Sequence, residues 1–186
     1  MSRNVAVVCS ALALAVTMAG CAAEDAKDAA PAPVASSATA APAPVPTPSG
    51  KPVLTITGAV SNHNEGSAVA FDMPALTAMA TVTTNIYEPF VKKDMKFTGV
   101  PVVNLLARAG ISPTATKISL HALDDFQVEL KVADLADPEI LFATKADDAL
   151  IPVDSGGPVR LIFPADSEVG KNRDTWIWSI DSIVVA

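Results

Sequence analysis

Apolar and polar positions follow three different rhythms along this chain. Val5 to Met18 carries no charge, Ala22 to Gly50 is almost all Ala, Pro, Ser, Thr and Val with Glu24, Asp25 and Asp28 near its start, and short alternating apolar segments begin only after Lys51. The alternation predicts strands over residues 53–57, 68–71, 81–86, 117–122, 126–130, 140–143, 159–163 and 179–185. Helical spacing is rarer. Val102, Leu105, Leu106 and Ala109 fall on one helical face over 102–109, with Gly110 as the expected C-terminal stop. A short helix is expected through Leu76 and Met79, with Asp72 as its N-cap and Pro74 in its first turn. Another is expected near 132–136. Phe97-Thr98-Gly99-Val100-Pro101 reads as a turn into the 102–109 helix. Strands without regular βαβ alternation predict an α+β domain of mixed or antiparallel sheet, a single domain over 51–186.

The first two segments predict export. Ser2 and Arg3, the apolar run, and Met18-Ala19-Gly20-Cys21 form a lipoprotein signal over residues 1–20, with Cys21 as the lipidated residue. The apolar run is shorter than the ~20 residues a bilayer core requires, which argues against a spanning anchor. Cys21 would carry diacylglycerol and a palmitate-type acyl chain. Residues 21–50 then read as a proline-stiffened tether with too little apolar surface to fold. These readings place the domain in the cell envelope, extracytoplasmic and held to the membrane by its N-terminal lipid.

The chain has two cysteines and two histidines, and a formal net charge of −7. Cys9 lies inside the signal and Cys21 carries lipid, so the domain has no thiol. His63 and His121 are too few for a nitrogen–sulfur zinc site, which wants three or four such ligands. No basic cluster interleaves with aromatics, so nucleic acid is not an expected partner.

Several segments invite a chemical reading. Asp154-Ser155-Gly156-Gly157-Pro158 resembles the segment around a trypsin-type nucleophilic serine, but neither histidine stands in the matching context. Gly156-Gly157 is instead expected to turn the chain into the 159–163 strand. Asp124-Asp125 reads as a hairpin turn. His121 is expected on an outward strand position and His63 in a solvated loop. Lys171-Asn172-Arg173-Asp174 is either an anion-receiving cation pair or a solvated loop. Trp176 and Trp178, two apart, would share one strand face as core or as a stacking wall.

Three segments taken in order, Phe97 to Pro101 followed by Leu105-Leu106, Gly156 to Leu161 with Pro164, and Trp176 to Val185, resemble the sulfite oxidase-type molybdopterin-binding domain. The likeness runs essentially from Lys51 to Ala186 and is closest to short, single-domain envelope members. It implies a pterin site using Thr84, Arg160, Lys171, Arg173 and Trp176. It also implies a metal-ligand cysteine after the strand preceding the glycine-proline segment, where this chain has Thr83 and Thr84. A neutral hydroxyl is a poor replacement for a soft anionic thiolate. The expectation is therefore a non-catalytic module with no metal site and no cofactor, binding a small anionic ligand or an envelope protein. Molybdopterin, and with it an oxidoreductase, is the alternative the resemblance implies. A purely structural envelope lipoprotein is the other.

Overall fold

A computed structural model describes residues 44–186; the signal segment, Cys21 and the tether up to residue 43 lie outside the described residues. Among those described, the β-branched segments form ten strands: β1 (Leu54–Gly58), β2 (Val69–Phe71), β3 (Val82–Glu88), β4 (Lys93–Pro101), β5 (Lys117–Ala122), β6 (Gln127–Lys131), β7 (Leu141–Ala146), β8 (Ala149–Leu150), β9 (Arg160–Ile162) and β10 (Ile180–Val185). Three short helices join them: α1 (Met73–Ala78), α2 (Val102–Ala109) and α3 (Glu168–Lys171). One sheet runs β2-β1-β10-β5-β6 and the other β3-β4-β7-β8, with β9 added against β7. Only β1 and β10 pair in parallel; every other pairing is antiparallel. This is the mixed-sheet α+β domain with few short helices that the residue pattern predicts.

Period-two alternation decides which side chains meet. In β5, Ile118, Leu120 and Ala122 are buried while Lys117, Ser119 and His121 alternate with them. The buried residues of both sheets belong to one apolar core. At α2 the helical face turns inward as expected, with Val102, Leu105, Leu106 and Ala109 all buried. The helix ends where Gly110 takes a left-handed conformation at φ 68°, so its N–H reaches Ala107 O at 3.0 Å and that of Ile111 reaches Leu106 O at 3.2 Å. Asp124-Asp125 makes the expected hairpin turn between β5 and β6, with Asp125 at φ 67°.

The 97–101 segment is not a turn. It is the second half of the nine-residue strand β4, which runs straight into α2. The turn-like residues serve a bulge instead: register shifts between Thr98 and Gly99 against β7, and a Cβ at Gly99 would lie 2.3 Å from Phe142 O. Glycine permits this approach, and Pro101 ends the strand where its missing N–H costs no ladder bond.

The tether boundary also moves. Val45 is buried in the core, and the amide of Asn64 donates to Pro46 O at 2.7 Å. Asp72 Oδ1 caps α1 by accepting from Ala75 N at 2.8 Å, while Oδ2 accepts from Ser49 N, Ser49 Oγ and Gly50 N at 2.7, 2.9 and 2.9 Å. One carboxylate thus clamps the arriving chain and the first helix together. Its composition makes 45–50 resemble the tether, but Asp72 gives its backbone donors a partner.

These bonds, that from Ala75 foremost, hold the Asp72 carboxyl below its ordinary value against the opposing effect of burial. A carboxyl whose pKa is lower folded than unfolded adds stability above its unfolded value of about 4 and loses it as pH falls through the folded one. Urea midpoints of the protein and of Asp72→Asn should therefore differ at pH 7, with the variant weaker, and converge toward about pH 2. An equal gap at both ends would dismiss the clamp.

Candidate functional site

Arg160 leaves the short strand β9 into the interior, where its side chain is 4% exposed, and meets Glu88 at the end of β3, which is 0% exposed. Its Nη2 donates to Glu88 Oε1 at 3.0 Å. The other carboxylate oxygen accepts from Phe90 N at 2.9 Å and Val91 N at 2.5 Å, so Glu88 also shapes the turn that follows it. The guanidinium lies over Trp178 at 4.3 Å and near Phe97 at 5.4 Å, within cation–π range. Burial lowers the Arg160 pKa, and the charge and hydrogen bond of Glu88 oppose that. Arg160 Nε and Trp178 Nε1 are buried without a hydrogen-bond partner among the described residues.

Phe90 carries this arrangement outward. Its ring meets Trp178 edge-on at 5.2 Å and Trp176 at 6.1 Å, and Trp176 meets Phe163 at 5.5 Å. Beside them opens a pocket of about 290 Å³ bounded by Ile86, Tyr87 and Pro89 on one side and by Phe163, Trp176 and the 164–173 loop on the other. Lys171 and Arg173 stand in its wall. The loop is locally pinned: Ser167 caps α3 by accepting from Gly170 N at 3.1 Å, and Trp176 Nε1 donates to Gly170 O at 2.8 Å. Gly170 must lack a side chain, because a Cβ there would stand 2.5 Å from Phe163 Cβ.

Of the five residues expected to hold a ligand, Lys171, Arg173 and Trp176 line this one pocket. Lys171 is ion-paired with Glu168, whereas Arg173 lies 5.8 Å from the Phe90 ring and has no carboxylate partner among the described residues. Arg160 is committed inward to Glu88. Thr84 is half-buried and pairs with Phe97; it alternates in phase with Ile86 and Glu88 but is not part of the pocket wall. Trp176 and Trp178 do not sit on a strand, yet both meet Phe90. Glu88 and Phe90 were not singled out by sequence. Glu88 ends an otherwise apolar–polar alternation as a buried acid, a signal visible only once β3 is in register.

The class of protein these features define is a mixed two-sheet α+β domain with an aromatic, cation-bearing pocket. The chain belongs to the oxidoreductase molybdopterin binding domain family, whose model matches residues 51–182. A solved structure, the sulfane dehydrogenase SoxCD from Paracoccus pantotrophus, superposes with a TM-score of 0.55 at 17% identity, which establishes likeness of fold. The match covers 71% of this chain and 37% of that one, so this chain spans well under half its length. No curated protein matches the chain.

The family's name implies a metal-bearing pterin. The cations and aromatic faces of the pocket suit the ring and anion of such a group, but the donor set does not suit its metal. Neither cysteine lies in the domain, Thr83 Oγ1 is bonded to Thr98 Oγ1 at 2.8 Å, and no cluster of three His, Cys, Asp or Glu side chains occurs among the described residues. Ligation of a metal by a protein thiolate does not fit the described residues, which include no cysteine.

Removing one member of a buried ion pair leaves an unpaired charge in the interior, at about 3–5 kcal/mol. Arg160→Met should lose stability on that scale in urea denaturation, and Arg160→Met with Glu88→Leu should recover part of it. The double variant should nevertheless exchange the Phe90 and Val91 amide hydrogens faster than the unaltered protein. A double variant as unstable as the sum of its singles would refute this account of the pair.

Proposed function

We propose that this chain is an envelope lipoprotein whose molybdopterin-binding-family domain works as a binding module for a small anion rather than as a metal-dependent oxidoreductase. The observation that carries the reading is Arg173. It is a guanidinium without a carboxylate partner among the described residues, beside Lys171, in the wall of a pocket lined by Trp176, Tyr87 and Phe163. Guanidinium groups recognise carboxylate and phosphate oxygens through paired N–H donors, and aromatic faces accept a planar or apolar body. Without a thiolate the pocket keeps the means to bind but not the family enzymes' ligand for a metal. The signal-like segment and Cys21 support membrane attachment outside the cytoplasm.

Family membership and the two unpartnered buried N–H groups, Arg160 Nε and Trp178 Nε1, favour one second reading, a redox subunit that still carries a pterin. Metal and pterin contents of protein made in a molybdopterin-producing host separate the two. The module should be purified with neither, and stoichiometric pterin would establish the second reading.

For the first reading, inorganic phosphate should raise the melting temperature in a concentration-dependent way, because a ligand specific to the folded state stabilises it. Arg173→Gln should weaken that effect about tenfold, the scale of one lost charge-assisted hydrogen bond. A flat response in the unaltered protein would remove the anion site. Cys21→Ser should move the protein from the membrane fraction to the soluble one, and unchanged membrane association would remove the lipid anchor.

A further inference from the structure

On the side of the domain where the chain enters, a second cavity of about 570 Å³ opens between α1, α2 and the arriving segment. Phe71, Ala75, Met79 and Val45 form an apolar lining. Its polar side chains are Asn104 and Arg108, four residues apart and therefore on one face of α2. No acidic residue is among its described lining residues. Arg108 forms no ion pair among the described residues, and its backbone oxygen accepts from Asn62 Nδ2 at 2.9 Å. In a chain of net charge −7, this is an uncompensated cation beside apolar walls. An apolar cavity with a few convergent polar groups is the usual form of a small-molecule site.

We propose that this cavity binds a free aliphatic carboxylate, with the chain against the Phe71, Ala75 and Met79 surface and the carboxylate on Arg108 and Asn104. Charge complementarity selects the head group: the guanidinium offers two N–H donors to one carboxylate and the Asn104 amide a third. The other lining side chains are apolar, so the remainder of the ligand is hydrocarbon. Met79, unbranched and adaptable, suits a flexible chain. This site is separate from the Arg173 pocket and does not rest on the reading given to it.

Titration calorimetry of the full chain with dodecanoate, below the concentration at which it forms micelles, tests the proposal. Saturable binding of one dodecanoate is expected. Arg108→Gln should weaken it about tenfold, as expected for one lost charge-assisted contact. Ala78→Trp should fill the cavity and abolish it, while Arg173→Gln should leave it unchanged. Dodecyltrimethylammonium, with the same chain and the opposite charge, should not compete. Absence of saturable binding, equal binding of the ammonium compound, or indifference to Arg108→Gln would each overturn the proposal. Concentration-dependent dimerisation abolished by Ala78→Trp would also overturn it, by making a second copy the occupant. So would retention on phosphatidylcholine vesicles without dodecanoate binding, which would assign the cavity to a lipid surface.

Discussion

One buried charge pair fixes how the second sheet, the aromatic cluster and the Arg173 pocket sit relative to one another. Glu88 and Arg160 stand 72 positions apart in sequence and meet in the interior. Taking two such charges out of water is expensive, and the attraction between them compensates only when the remaining polar atoms are also satisfied. Glu88 meets that condition by using both oxygens, one for the guanidinium and one for two backbone amides of the turn after β3. Arg160 meets it in part. Its Nε lacks a hydrogen-bond partner among the described residues, and the faces of Trp178 and Phe97 supply attraction for the positive charge.

The pair therefore orders a path from core to surface. Glu88 sets the turn, the turn sets Phe90, and Phe90 lies against Trp176 and Trp178 and beneath Arg173. The opposite side of the path depends on close backbone approaches. A Cβ at Gly157 would fall 1.9 Å from Ile151 O, and one at Gly156, whose φ is 85°, would press on Trp178 at 3.1 Å. Gly156 is thus what lets Trp178 pack beside this turn and against Arg160. The protease-like look of 154–158 has a packing explanation, and the turn expected there is present.

Much of the fold was legible because its elements are governed by local periodicity. The α2 face, its Gly110 stop, β5, β10 and the Asp72 cap each follow from spacing or one capping residue. Failures arose where a local signal had a nonlocal use. Gly99 and Pro101 look like turn residues, yet Gly99 is needed because another strand crosses within contact distance. Residues 45–50 look like tether, yet Asp72, more than twenty positions on, supplies their acceptor. The site was half legible for the same reason. Lys171, Arg173 and Trp176 lie close together in sequence and share a pocket, whereas Arg160 could be assigned only after its partner Glu88 was brought beside it. Nothing in the residue pattern around Glu88 announces that pairing.

The same distinction bears on what a shared scaffold can transmit. A shared fold can carry the path of the chain, because that path depends on backbone geometry. Chemistry needs particular donor atoms at particular places, and it does not follow from fold alone. Here the hydroxyls of Thr83 and Thr98 satisfy each other, while Arg173 at the pocket wall has no carboxylate partner among the described residues of a chain with excess acid. An arginine in acidic surroundings would gain from a carboxylate partner on its own chain. On the reading proposed above, leaving it without one beside aromatic surface keeps it available to an anion from outside, and such binding would require no metal.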